Sequence, residues 1–130
     1  MKYILFTLIF VGWSITLSHA QQEKKRVIVL TDIEADPDDT QSLIRFLLYS
    51  NQWDIEGLVA TTSIHQKTSV FPASIHKVLD AYKKVFPNLS LHEKGFPSHE
   101  HLSKLVKKGL PVYGMQGVGA NHDSEGSNWI

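Results

Sequence analysis

Five carboxylate side chains fall within eight consecutive residues: Asp32, Glu34, Asp36, Asp38 and Asp39. So many like charges in one place require either full solvation or a compensating cation. Hard cations such as calcium and magnesium take oxygen ligands and are the natural partners of carboxylates. A carboxylate held beside a water molecule can also act as a general base. The segment therefore predicts a cation site, hydrolytic chemistry, or both.

The acidic segment lies between a predicted strand and a predicted helix. Residues 26–30 form a β-branched apolar run bounded by turn residues, which predicts a buried strand. Leucine and isoleucine recur at helical spacing between Leu43 and Leu48, which predicts a helix over residues 38–49. Residues 53–62 then predict a second strand, and the resulting βαβ unit has a right-handed crossover. Ligands bind at the carboxyl ends of such parallel strands, so the acidic segment is expected to face a crevice.

Three readings of the acidic segment follow from its residues alone. Acidic side chains at the start of a helix stabilise the positive end of its dipole, so an exposed acidic loop is one interpretation. A second interpretation is an EF-hand, which needs Gly at its sixth position and Glu at its twelfth. Counted from Asp32, these positions are Pro37 and Leu43, so the segment does not fit an EF-hand. The run from Asp36 to Thr40 resembles the D-x-D-x-T signature of haloacid-dehalogenase-type phosphatases, but that signature begins directly at a strand end.

Residues 32–39, placed between the first strand and a helix, resemble the D-x-D-P-G-x-D-D signature of nucleoside hydrolases. Residues 42–51, 54–63, 80–82 and 124–130 resemble more closely one branch of that superfamily. This branch is the nucleoside hydrolase-like domain of bacterial proteins described as cellulose-binding. The resemblance spans residue 26 to the end and implies an α/β fold, a parallel sheet with flanking helices, corresponding to the N-terminal portion of the family domain.

The resemblance implies hydrolysis of an N-glycosyl bond in a small-molecule nucleoside or carbohydrate, with a divalent cation, calcium, as cofactor. It assigns the metal to Asp32, Asp38 and Asp39, and a sugar contact to Asp38. Matching Asp38 and Asp39 without gaps makes Glu34 the catalytic base, whereas matching by strand end makes it Asp32. A strand terminus fixes a side chain better than a mid-loop position, which favours Asp32.

Substrate contacts are expected from two later segments. Nucleoside hydrolases follow the second strand with a Thr-rich turn and an Asn, whereas this chain has Ser63, Ile64 and His65 there. His65 is the candidate that could replace the Asn as a donor to a hydroxyl or leaving group, and the alternative interpretation is a solvated loop residue. The resemblance implies that the glycine-rich tail, residues 111–130, is a loop near the crevice. Asn121 and Glu125 of this loop are expected to form hydrogen bonds with sugar hydroxyls.

The remaining pattern predicts three further elements. An amphipathic helix is expected over residues 69–86, with Pro72 in its first turn and Pro87 and Asn88 ending it. A short strand is expected at residues 89–91, and a second helix at residues 98–107. The run His99-Glu100-His101 lacks the H-E-x-x-H spacing of a zinc helix, so no metal is expected there.

Composition and the first residues bear on location and partners. The 13 basic and 13 acidic residues balance, so the chain lacks the basic footprint of nucleic-acid binding. Residues 1–20 predict a secretory signal peptide, with an apolar run and small residues before a cut after Ala20. Residues 21–25 then form a linker and residues 26–130 the domain, which is expected to be periplasmic or secreted, without a membrane contact after cleavage.

Two further expectations concern activity. A carbohydrate-binding protein that has lost turnover is the alternative function, with Trp53 and Trp129 as the aromatic platforms that remain after signal removal. Nucleoside hydrolases are also considerably longer, and later parts of the chain complete their metal shell. The first-loop carboxylates offer about three oxygen ligands where calcium prefers 6–8. The domain is therefore expected to be truncated and, alone, not to hydrolyse nucleosides at a useful rate.

Export predicts a defined mature N-terminus. Cleavage after Ala20 should leave Gln21 as the first residue, because Ser18 and Ala20 supply the small residues that signal peptidase reads. N-terminal sequencing of the protein recovered from the periplasm or medium tests this, and a mature chain beginning at Met1 would contradict it.

Overall fold

Three parallel strands and their flanking helices form an α/β fold, as the sequence predicts. The structure is a computed structural model and describes residues 23–130, so the expected signal peptide lies outside the described residues. In chain order the elements are β1 (Lys25–Thr31), α1 (Pro37–Leu48), β2 (Trp53–Ala60), α2 (Pro72–His92), α3 (His99–Lys104), β3 (Val106–Lys108) and α4 (Glu125–Trp129), with 3-10 turns at Ser50–Gln52 and Gly114–Gly117.

The sheet has the strand order β1-β2-β3, and both pairings are parallel. The last residues of the three strands lie side by side, since Ala60 of β2 is opposite both Thr31 and Lys108. The register between β1 and β2 shifts once, because Val27 faces Ile55 and Ile28 faces Gly57. The three loops that follow the strands therefore begin side by side at the carboxyl-terminal edge of the sheet, where the strands end.

One face of the sheet packs against α1, α2 and α3. Leu58 and Ala60 of β2 are fully buried there, as are Ile75 and Leu79 of α2. Burying a large aliphatic side chain contributes about 1.5–3 kcal/mol each, so this layer is the main apolar source of stability. The complete buried cluster is Ile33, Leu43, Leu47, Ile55, Leu58, Ala60, Ile75, Val78, Leu79, Tyr82, Leu102, Leu105 and Val106.

The short helix α4 covers part of the opposite face. The indole N–H of Trp129 donates to the backbone oxygen of Glu56 at 2.7 Å. Gly126 allows this close approach, because a Cβ at that position would lie 2.6 Å from Cγ1 of Val59. The Glu56 side chain also accepts two hydrogen bonds from Arg26, which lower the pKa of Glu56.

The first strand is less buried than its apolar sequence predicts. Within the described residues β1 pairs only with β2 and forms an edge of the sheet. Its central residues are half-buried and Leu30 is 57% exposed. The prediction of a buried strand was therefore wrong in degree, because apolar character does not tell an edge strand from a central one. The strand also begins at Lys25, the last residue of the expected linker.

The long helix α2 continues past the expected stop at Pro87. A proline inside a helix usually breaks or kinks it, because proline has no backbone N–H to donate. Helix α2 nevertheless continues to His92 with Pro87 inside it. Phe86 and Leu89, on either side of Pro87, both pack against the core, which supplies contacts that extend the helix. The strand expected at residues 89–91 is therefore the last turn of α2.

The helix expected over residues 98–107 is shorter than predicted, because its last two residues belong to a strand. Helix α3 ends at Lys104, and Val106 begins β3 opposite Leu58. Backbone pairing with the side of β2 that faces away from β1 outweighs the local helical propensity. Val106 also has the β-branched side chain that strands favour. The tail is likewise not all loop, since Ser124 caps α4 by accepting from the Ser127 N–H at 3.0 Å.

No helix within residues 23–130 has the length and apolar character needed to cross a membrane.

Two leucines of α2 give a matched test of this packing. Leu79 is fully buried and Leu91 is 85% exposed. Leu79→Ala should lower the free energy of unfolding by about 2–5 kcal/mol, because it leaves a cavity in the core. Leu91→Ala should change that free energy by less than about 0.5 kcal/mol. Urea unfolding of both variants measures the difference, and equal losses would contradict the placement of α2.

Candidate functional site

The loop after β1 begins with a tight turn. The N–H of Ala35 donates to the backbone oxygen of Asp32 at 2.9 Å, which closes the turn over residues 32–35. Ile33 points into the core and is fully buried, whereas Asp32 is half-buried at the end of the strand. The buried isoleucine thus fixes the backbone from which the Asp32 carboxylate projects.

Glu34 has a left-handed backbone conformation, with a φ of 81°. It occupies the third position of the turn, where a positive φ is usually supplied by glycine. The hydroxyl of Ser74, at the start of α2, donates to Oε1 of Glu34 at 2.5 Å. The Glu34 side chain is therefore directed to α2, and one of its oxygens already has a partner.

The remaining acidic residues belong to the start of α1. Asp36 is the N-cap, and its N–H donates to Oδ2 of Asp39 at 3.0 Å. Asp38 and Asp39 lie in the first turn, where negative charge is favoured by the helix dipole. Asp36 is several residues past the strand end, so it does not occupy the position of a phosphatase nucleophile. Helix capping thus accounts for part of this acidity.

The loop after β2 contacts the acidic turn through Gln66. This side chain is 9% exposed, and its Nε2 lies 3.4 Å from the backbone oxygens of both Asp32 and Ile33. The Ser63 hydroxyl accepts from the N–H groups of His65 and Gln66, at 3.0 and 3.2 Å. Two of the three loops at this edge are therefore joined by a buried amide.

The other candidate substrate residues, His65, Asn121 and Glu125, make no hydrogen bond to this turn within residues 23–130. His65 is exposed on the β2 loop, and Asn121 is exposed in the tail with a left-handed φ of 67°. Glu125 accepts from the backbone N–H of Lys108 at 3.3 Å and pairs with Lys107. Because strands lie about 4.8 Å apart, the end of β3 is about 10 Å from the end of β1. Glu125 therefore lies at the same edge, across β2 from Asp32.

The predicted cation ligands do not form a site by themselves. Within residues 23–130, no group of three or more His, Asp or Glu side chains has an arrangement that could hold a metal ion. Of the predicted ligands, Asp39 has one oxygen engaged by the N–H of Asp36. The donor chemistry suits a hard cation, but the described geometry does not assemble enough ligands, and the chemistry below does not depend on one.

Sequence reasoning missed Gln66 and Ser74, the two side chains that anchor the acidic turn. Both are polar and at most 9% exposed. Gln66 lies three residues after Ser63, a spacing typical of a hydroxyl-capped turn. No sequence signal linked either residue to Asp32 or Glu34, because their hydrogen bonds span 33 to 40 residues of chain.

Comparisons with known proteins place the fold and this loop in a family. Residues 26–130 match the family model described as "Cellulose-binding Sde182, nucleoside hydrolase-like domain". The chain belongs to this family. A solved structure from Saccharophagus degradans, described as a nucleoside hydrolase-related hypothetical protein associated with carbohydrate metabolism, has 43% sequence identity and a TM-score of 0.79.

The match to that structure covers 82% of this chain and 26% of the other protein. The present chain thus spans about a quarter of that relative's length. No curated protein matches the chain. The nucleoside hydrolase-like fold expected from the sequence is confirmed, and with it the α/β class.

Proposed function

We propose that this nucleoside hydrolase-like domain acts on the glycosyl bond of a nucleoside or related carbohydrate, with Asp32 as the general base. One observation carries the proposal: Asp32 directly follows Thr31, the last residue of β1, at the end of the sheet where the loops after all three strands begin. In open α/β sheets this edge is where ligands bind. The nucleoside hydrolase-like family supports the reaction class.

The proposed hydrolysis needs one general base, and the other acidic residues contribute through their charge. A carboxylate at the strand end accepts a proton from water as the water attacks the anomeric carbon and the bond to the leaving group breaks. The sugar passes through an oxocarbenium-like transition state, which nearby carboxylates stabilise by their negative charge. Asp38, in the first turn of α1, is the proposed sugar contact, with His65 near the leaving group.

A single-turnover assay tests the assignment of the base. With protein in excess over inosine or uridine, the wild type should release free base slowly but faster than a blank without protein. Removal of a general base costs roughly 10²–10⁴-fold in rate, so Asp32→Asn should approach the blank. Asp54→Asn, the same exchange at the second residue of β2, should keep the wild-type rate.

Two results would count against this function. If the wild type releases no more nucleobase than the blank, the proposed hydrolysis is wrong. If Asp32→Asn releases nucleobase at the wild-type rate, the general base is a different residue. Rapid multiple turnover that disappears in Asp32→Asn would instead overturn the expectation that this chain alone works poorly.

A carbohydrate-binding role without turnover is the second candidate, and the family's description as cellulose-binding favours it. Trp53 and Trp129 are 38% and 47% exposed. The Trp129 indole is fixed by its bond to Glu56 and lies beneath the Lys107 ammonium, 4.2 Å from the ring centre. Trp53 at the start of β2 is thus the less constrained stacking surface of the two. Retention on insoluble cellulose that Trp53→Ala abolishes would support this role.

We also propose that a divalent cation, calcium by the family resemblance, binds weakly at Asp32, Asp38 and Asp39. A cation that binds only the folded state raises the melting temperature by mass action. Calcium should therefore raise the melting temperature relative to chelator, and Asp39→Ala should remove that increment although it also weakens the helix cap. Glu100→Ala, on α3, should keep the increment.

The increment is compared within each variant, so loss of the Asp39 cap does not confuse the result. The absence of a calcium effect in the wild type, or its equal loss in both variants, would reject a cation at this loop.

A further inference from the structure

The acidic turn is held from two sides by buried polar side chains. Within the described residues the buried polar side chains are Ser50, Asn51, Gln66 and Ser74. Gln66 and Ser74 both bond the turn at residues 32–35, although they come from different elements. A buried polar group is costly unless its hydrogen bonds are made. The use of two such groups on one turn of four residues indicates that its shape is specified.

The turn needs this support because its conformation is unfavourable. The left-handed backbone conformation is unfavourable in free energy for every residue type except glycine. Glu34 adopts this conformation, with a φ of 81°. Such conformations persist only where the surroundings enforce them, and they cluster at functional sites. Within the turn, the described backbone bond is the one from the Ala35 N–H to Asp32.

Gln66 supports the strand side of the turn. Its amide nitrogen lies 3.4 Å from the backbone oxygens of Asp32 and Ile33, which are the residues that set the direction of the Asp32 side chain. Gln66 is itself fixed, since its N–H donates to the Ser63 hydroxyl and its backbone oxygen accepts from the Ser63 N–H at 3.0 Å. The β2 loop thus acts as a rigid brace for the end of β1.

Ser74 supports the other side through Glu34. Ser74 lies in the first turn of α2, and its N–H donates to the backbone oxygen of Phe71 at 3.0 Å. Its hydroxyl bond to Glu34 ties the strained residue to this helix start. The Glu34 carboxylate is therefore used as a tether, whereas that of Asp32 accepts no hydrogen bond from the described residues.

We propose that Gln66 and Ser74 are positioning residues that hold the strained turn and thereby orient Asp32 at the end of the sheet where the three loops begin, with Glu34 as tether and not base. This inference rests on the proposed function for its consequence in catalysis. The geometry of the turn does not depend on that function. Its first test is therefore independent of any substrate.

Amide hydrogen exchange at Ala35 reports on the turn directly. Loss of one supporting hydrogen bond should raise the exchange rate of this amide by about three- to tenfold in Ser74→Ala and in Gln66→Ala. Ser74→Thr keeps a hydroxyl and should restore most of the protection. Ser50→Ala is the matched control, because Ser50 is also buried but its hydroxyl lies 3.5 Å from that of Tyr82.

The single-turnover assay provides the second readout. Ser74→Ala and Gln66→Ala should slow release of the base while the protein concentration that gives the half-maximal rate stays within about twofold, because the turn orients Asp32 and does not hold the sugar. Ser74→Thr should recover most of the rate. Glu34→Gln should lose far less than Asp32→Asn, since its amide oxygen still accepts from Ser74.

Unchanged Ala35 exchange in both alanine variants would overturn the proposal, and so would an equal increase in Ser50→Ala. A loss in Glu34→Gln as large as that in Asp32→Asn would make Glu34 the base and overturn the tether role. If exchange responds as expected but the wild type releases no base, the brace is supported and the proposed hydrolysis fails.

Discussion

Parallel pairing of β2 with both of its neighbours is the constraint on which the rest of the structure depends. A parallel connection requires the chain to return to the starting edge, so α1 and α2 must cross the same sheet between strands. The fully buried residues of β2 then give these helices one apolar layer to cover. Because all three strands point the same way, their following loops meet at one edge and create the place where chemistry is proposed.

The acidic residues of that edge have different physical roles despite their similar charge. Asp36 and Asp39 complete the start of α1, where unpaired N–H groups and the helix dipole favour negative charge. Glu34 is tied to Ser74 on α2. Asp32, at the strand end, and Asp38 have no such hydrogen bond within the described residues, and Asp32 is the carboxylate that we propose for proton transfer. A dense acidic motif is therefore partly structural and partly available to a ligand.

The opposite face of the sheet shows how a short helix can depend on backbone shape. Helix α4 lies so close to β2 that only glycine fits at Gly126, and the Trp129 indole reaches the backbone of Glu56. Lys107 lies over the same indole and pairs with Glu125 at the start of α4. Glu125 thus stabilises the packing of α4 on β3, which gives it a structural role beside the sugar contact expected from the sequence.

The sequence by itself determined β1, α1 and β2, because their apolar periodicity and turn residues are local signals. It also determined that acidic residues follow β1, and the family to which this βαβ unit belongs. Only the tertiary structure decided that residues 106–108 pair with β2, that α2 continues through Pro87, and that β1 lies at an edge. Each of these depends on contacts between distant segments. The same holds for Gln66 and Ser74, whose partners lie 33 to 40 residues away and carry no signal of proximity in the sequence.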